Sequence, residues 1–172
     1  MGLAILKSRA AIGVEAPPVT IEVFLSGGLP RFNIVGLAET AVRESKDRAF
    51  RAIKSSGFEF PQRRITANLG PAEMRKTGGR FDLAIALGIL SASGQLPRER
   101  IDEFEFYGEL ALNGDLRPVS GVLPAAIKAA ADGKPIIVPR DNGSEAALAG
   151  GDVYISGSLR QVSSVLSKQS EA

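Results

Sequence analysis

The sequence predicts an α+β protein, a mixed α/β two-layer fold with helices packed on a sheet. Three observations carry this expectation. Strand-like and helix-like segments interleave along all 172 residues. Two predicted hairpins precede helices, which argues for a mixed sheet and against a purely parallel one. No low-complexity tract or internal repeat interrupts the segments, so residues 1–168 read as one domain. Residues 169–172 are polar and read as the start of a linker toward a further module.

The elements follow in order. Leu3 to Leu6 is a short apolar run, a candidate first strand. Pro17-Pro18 breaks the chain. Val19 to Leu25 then alternates and is rich in β-branched residues, which predicts a strand. Ser26-Gly27-Gly28-Leu29-Pro30 is a turn, and Phe32 to Val35 a return strand, so the two are expected to form a hairpin. Residues 39–56 predict a helix whose apolar arc holds Val42, Ala49, Ala52 and Ile53. The i,i+4 pairs Arg43–Asp47, Asp47–Arg51 and Glu44–Arg48 support it. Arg63 to Leu69 is a strand stopped by Gly70-Pro71, and residues 70–80 are a loop.

Phe81 to Ser93 is apolar nearly all round and too long for a typical strand, which predicts a buried helix. Gly88 within it predicts close packing. Phe104 to Leu110 reads as a strand. Asn113-Gly114 is the strongest hairpin signal in the chain, with a return strand at Asp115 to Val119. Gly121 to Ala131 predicts a helix with Pro124 near its first turn. A strand at Pro135 to Pro139, a short helix at Ser144 to Leu148, a strand at Val153 to Ile155 and a helix at Leu159 to Leu166 complete the chain.

Composition excludes several functions. There is no Cys and no His, so disulfides, Cys/His zinc sites and His-based triads cannot form within these residues. The first residues lack a basic region followed by a sustained apolar run, and no apolar run approaches the ~18 residues of a membrane span. No membrane partner is expected; a soluble, cytoplasmic location is.

Charge is uneven. Residues 31–80 carry eleven basic and five acidic side chains, whereas residues 81–172 carry eight and twelve. Arg63, Arg64, Arg75, Lys76 and Arg80 form the densest positive stretch, opposed only by Glu73. Backbone-phosphate contact needs charge and reach, not a strict motif, so these five are the candidate nucleic-acid-binding residues and DNA the candidate partner. The alternatives are a solvated charged loop and a subunit contact. No aromatic residue interleaves the stretch, so base stacking is not indicated.

Enzymatic devices are scarce. A Walker A loop places glycine before its lysine, but here Arg75 precedes Lys76. No G-x-G-x-x-G occurs. Neither Ser93, Ser120 nor Ser156 sits in a G-x-S-x-G elbow. Asp102-Glu103 and Glu105 read as solvated carboxylates. No catalytic residue, metal ligand or cofactor-binding residue is assigned.

Two resemblances follow. Gly108-Glu109-Leu110-Ala111-Leu112-Asn113-Gly114 through Val119, with Ile136 to Pro139, resembles the signature of the Lon protease domain. Aligned on it, the nucleophilic serine is replaced by Arg80 and the catalytic lysine by Leu123, so peptidase activity of the Lon type is not expected. A closer match covers almost the whole chain. Ser8-Arg9-Ala10-Ala11-Ile12-Gly13-Val14-Glu15, Gly28 to Leu37, and Asn68-Leu69-Gly70-Pro71-Ala72-Glu73 with Lys76 and Gly78 to Leu83 resemble the amino-terminal domain of the ComM/YifB, or magnesium-chelatase-like, AAA+ ATPases.

That resemblance implies a Lon-like variant of the ribosomal protein S5 domain 2-like fold. It also implies a longer protein that forms ATP-dependent hexameric rings and acts on DNA in recombination and natural transformation, as a branch-migration helicase. ATP and Mg would belong to an AAA+ module outside these residues, and this domain would need no cofactor. The implied role is ring assembly and DNA contact. The alternatives are a docking module for protein partners in a chaperone-like ATPase and a hydrolase with an unrecognised Ser–Lys pair.

Overall fold

The computed structural model describes residues 2–72, 74, 76 and 78–167. Nine strands and five helices alternate among them: β1 (Gly2–Arg9), β2 (Pro18–Ser26), β3 (Arg31–Val35), α1 (Glu39–Ser55), β4 (Arg64–Gly70), α2 (Asp82–Ala92), β5 (Glu105–Phe106), β6 (Glu109–Leu110), β7 (Leu116–Arg117), α3 (Val122–Ala131), β8 (Ile136–Pro139), α4 (Gly143–Ala147), β9 (Val153–Ser156) and α5 (Leu159–Ser167).

Seven strands form one mixed sheet in the order β3-β4-β2-β1-β5-β8-β9. β2 runs antiparallel to both β1 and β4, and every other neighbour pair is parallel. The α+β class predicted above is the observed one. The expected β2–β3 hairpin is not. Both edges of β2 are taken, by β1 and β4, so β3 moves to the sheet edge and pairs parallel with β4. Helix α1 supplies the crossover that a parallel pair requires.

The strand expected over Phe104 to Leu110 also divides. Glu105–Phe106 joins the main sheet between β1 and β8, while Glu109–Leu110 turns out of it and pairs with Leu116–Arg117 in a separate ladder. The Asn113-Gly114 turn closes that ladder as the sequence predicts. Gly114 adopts φ +96°, and Asn113 Oδ1 accepts from the Asp115 amide at 2.9 Å.

The main core lies between α1, α2, α5 and one face of the sheet. α2 is buried along its whole length, because it lies over β1 and β2 with apolar residues on every side. Gly88 is required there: a Cβ would stand 2.4 Å from Val23 Cγ2. β8 is covered on both faces. Ile137 faces the main core, whereas Ile136 and Val138 face a second cluster with Val122, Ala125, Ala126 and Ala146 from α3 and α4, as the two-residue side-chain period dictates. The β1–β2–β4 region keeps one face open.

α1 buries Ser45, Ala49, Ala52 and Ile53. Ser45 was not on the predicted arc. It is inside because it donates to a buried carboxylate, described next.

Candidate functional site

Four chain segments converge beside the start of α2. They are the end of β1 with Ala10 and Ala11, the turn Gly78-Gly79-Arg80-Phe81, Glu109 on β6, and Pro118-Val119-Ser120 leading into α3. Together with Lys76 they line a cleft of about 240 Å³. Gly78 adopts φ +73°, a left-handed conformation that suits glycine. Gly79 has no room for a side chain, since a Cβ would meet Glu109 Oε1 at 2.6 Å.

Arg80 is 6% exposed. Its Nε donates to the Arg9 carbonyl at 2.9 Å and its NH1 to the Ser120 carbonyl. NH2 is buried without a hydrogen-bond partner. The guanidinium carbon lies 5.6 Å from the centre of the Tyr107 ring, within cation–π range. Burial pulls the Arg80 pKa below its ordinary value, and Tyr107 offsets this in part. Among the described residues no carboxylate pairs with it.

Lys76 is also interior, at 3% exposure. Its ammonium donates to the Met74 carbonyl at 2.8 Å and to the Pro71 carbonyl, so it ties the loop to itself.

Two ionic networks frame the cleft. In the first, Arg9 grips Glu105 through two bonds, Nε to Oε1 at 3.0 Å and NH2 to Oε2 at 3.1 Å, and reaches Asp132 Oδ2 at 2.6 Å. Tyr107 Oη donates to Glu105 Oε1 at 2.7 Å. Burial, then the neighbouring Glu105 charge, pushes the Tyr107 pKa well up. In the second, Asp82 accepts from Arg48 Nε at 2.6 Å, Ser45 Oγ at 2.9 Å and the Leu110 amide at 3.1 Å. It is fully buried. Burial raises its pKa to about 6, because the bonds from Arg48, Leu110 and Ser45 return only part of the desolvation cost.

The five candidate nucleic-acid residues do not gather in one place. Arg63 is half-buried and Arg64 exposed, at the start of β4. Lys76 and Arg80 follow the other end of that strand, roughly 20 Å away at ~3.3 Å per residue. Arg75 lies outside the described residues. Arg31, which sequence reasoning passed over, sits beside Arg64 in the β3–β4 register, and its amide donates to the Arg63 carbonyl at 3.3 Å. A predicted parallel pairing of the two strands would have found it.

Arg80 reaches Ser120, and Leu123 stands three residues on, in the first turn of α3, its amide bonded to Glu145 Oε2 at 3.1 Å. Lys7 Nζ contacts Thr20 Oγ1 at 3.4 Å, on an exposed part of the sheet and not in the cleft. Among the described residues no group of three or more acidic side chains is placed to hold a metal ion. No helix among them is long and apolar enough to cross a membrane.

The α+β domain and its cleft belong to a class of protein that the family match defines. Residues 21–142 match the family model of subunit ChlI of Mg-chelatase, and the chain belongs to that family. Among its relatives, protein YifB of Escherichia coli K12 is 50% identical over 152 residues, 88% of this chain and 30% of that protein. Competence protein ComM of Haemophilus influenzae is 51% identical over 148 residues, 86% of this chain and 29% of that protein. An uncharacterised protein of Mycobacterium tuberculosis H37Rv is 41% identical over 152 residues. The chain therefore spans about 30% of the length of the curated relatives it matches.

Proposed function

We propose that this chain is a non-catalytic domain of a longer, ATP-dependent, hexameric DNA branch-migration helicase of the ComM type. In this reading it helps to assemble the ring and contacts DNA during recombination and natural transformation. ATP and Mg²⁺ serve a separate AAA+ module. The observation that carries the reading is the 51% identity to competence protein ComM across 86% of the chain.

The charge distribution supports DNA contact and refines where it falls. Arg31, Arg63 and Arg64 cluster at one end of the β3–β4 pair. Lys76 and Arg80 are interior and bonded to carbonyls, so they shape the domain more than they meet a phosphate backbone. The non-catalytic reading rests on Arg80, which fills the nucleophile position with a group that cannot attack. A serine-directed covalent probe tests it: no labelling is expected, and a labelled serine would restore the hydrolase alternative.

The domain's DNA role is tested by titrating duplex DNA at several salt concentrations with the 172-residue chain and with the longer protein. Binding that weakens with salt supports it. No measurable affinity in either form would overturn it. A second reading, docking of a protein partner, is favoured by the open face of the sheet, where Leu3 and Phe24 are cross-strand neighbours and both about 40% exposed. Self-association or partner capture without DNA affinity would select that reading.

A further inference from the structure

We propose that the outer edge of β9 pairs with the same edge of a second copy of this chain, joining the two sheets across a two-fold axis at Tyr154. The starting point is the backbone. Ile136 on β8 donates its amide to the Asp152 carbonyl at 3.0 Å, and the two strands run parallel, with Ile136 level with Val153 and Val138 with Ile155. Successive residues of a strand turn their backbone groups to opposite sides. Asp152, Tyr154 and Ser156 therefore address β8, whereas Val153 and Ile155 address the outer side, where among the described residues no strand pairs with β9. The strand, Val153-Tyr154-Ile155-Ser156, carries no charge and no proline. Tyr154 and Ile155 are 44% and 49% exposed. Natural sheets blunt an open edge with charge or proline. β3, at the other end of the sheet, carries Arg31; β9 has no such device.

One antiparallel register uses every outward group. Val153 faces Ile155 of the second copy, each residue donating and accepting, and the exchange repeats on the other side of the axis. Tyr154 then stands opposite its own copy, a pair whose Cα atoms lie about 4.5 Å apart. Side chains match by face. Tyr154 is on the main-core side, edge-on to Phe104 at 5.3 Å between ring centres, so the two tyrosines form an aromatic cross-strand pair. Ile155 is on the other side, against Gly143 of α4, and meets Val153 of the second copy. The charges match as well. Exposed Asp152 falls opposite Ser156 of the second copy, beside Arg140. Arg140 NH2 donates to Gln161 Oε1 at 3.2 Å, and that oxygen lies 3.5 Å from Ser156 Oγ and accepts from the Gly157 amide at 2.7 Å. Asp115, bridged to Ser158, keeps its carboxylate on Asn113 at 3.2 Å, and Asp141 shares a hollow with Arg117. Each end of the paired strands thus sets a carboxylate against a guanidinium. That match selects a second copy as the occupant, because a strand of unrelated sequence has no reason to carry an acid and a base at those two ends.

This contact leaves the Arg31–Arg63–Arg64 edge and the Leu3–Phe24 face free, and it rests on neither ring assembly nor DNA binding. The test is sedimentation equilibrium of the 172-residue chain over a concentration series. The wild type is expected to populate a dimer. Ile155→Lys places a charge on the pairing edge twice per dimer and is expected to raise the dimer Kd by about tenfold or more. Asp152→Arg and Arg140→Asp should each weaken the dimer. Both changes in one chain should restore it, since the ends then match with their signs reversed.

Should Ile155→Lys fail to fold, cross-linking decides. The chain has no Cys, so a single introduced thiol reads the register directly. Tyr154→Cys puts two thiols across the axis at a Cα separation inside the disulfide range (about 4.4–6.8 Å). It should oxidise to a covalent dimer far faster than Leu29→Cys, a position 86% exposed on the β2–β3 turn. A monomer at every concentration would overturn the proposal and leave the edge to a strand from another protein. So would a dimer that Ile155→Lys does not weaken, or cross-linking of Tyr154→Cys no faster than that of Leu29→Cys.

Discussion

Arg48 on α1 and Asp82 at the start of α2 meet at 2.6 Å, Nε to Oδ2, across 34 residues of sequence. The carboxylate is fully buried, and it also takes the Ser45 hydroxyl and the Leu110 amide. One side chain therefore joins α1, α2 and β6, the three elements on one side of the cleft.

That arrangement gives stability a defined pH dependence. Folded Asp82 keeps its proton up to about pH 6, whereas the ordinary value is 3.8. Between these values the folded chain binds more protons than the unfolded one, so this group's contribution is present at low pH and is lost as pH rises through the window. The full loss is about 3 kcal/mol. Urea unfolding from pH 4 to 7 should show wild type losing stability relative to Asp82→Asn across that range. A difference between the two that stays constant with pH would reject the assignment.

The Arg9–Glu105 pair should behave as a coupled unit. Arg9→Met leaves the buried Glu105 carboxylate without its main partner, at an expected cost of about 3–5 kcal/mol. Adding Glu105→Gln removes the stranded charge while keeping an acceptor for Tyr107 Oη, so the double variant should be more stable than Arg9→Met alone. Equilibrium unfolding of all four members of the cycle measures the coupling. Additive losses would show that the two side chains do not support each other.

Gly88→Ala sets two effects against each other. Alanine favours a helix interior by about 1 kcal/mol. Its Cβ, however, would stand 2.4 Å from Val23 Cγ2, and overpacking a core costs about 1–3 kcal/mol. Sterics should win, with a net loss of up to about 2 kcal/mol by chemical denaturation. Combining Gly88→Ala with Val23→Ala should recover the clash component. A stabilised Gly88→Ala would mean that α2 shifts away from the sheet more easily than its packing implies.

Alanine at Arg31, Arg63 and Arg64 together should weaken DNA binding at low salt and flatten its salt dependence. Three lost phosphate contacts correspond to a change of about 3 in the slope of log K against log salt. Fluorescence anisotropy with a short duplex at four or more salt concentrations measures it. An unchanged slope would place the DNA contact elsewhere or remove it.

Much of the secondary structure is legible because its causes are local. The Asp47–Arg51 pair forms at 3.1 Å, since i,i+4 spacing on a helix brings those residues together whatever surrounds them. The all-round apolar pattern of Phe81 to Ser93 announces a buried helix for the same reason. Strand pairing is less legible. The Gly-Gly turn after β2 looks like a hairpin, yet β1 and β4 claim both edges of β2. Competition between distant partners decided that outcome. The role of Asp82 was hidden as well: a lone aspartate before an apolar run gives no sign that an arginine from another helix will cover it.

By itself, the sequence determined the α+β class, the absence of Cys and His chemistry, and the kinship with ComM-type proteins through long collinear motifs. Tertiary structure alone decided what each positive charge means. Arg64 and Arg80 belong to one basic stretch, but one faces water and the other is enclosed by Arg9, Tyr107 and Ser120. Those enclosing residues lie 27 to 71 positions away from it. A charge acts according to the dielectric around it, and that environment is built by parts of the chain far from the charge in sequence.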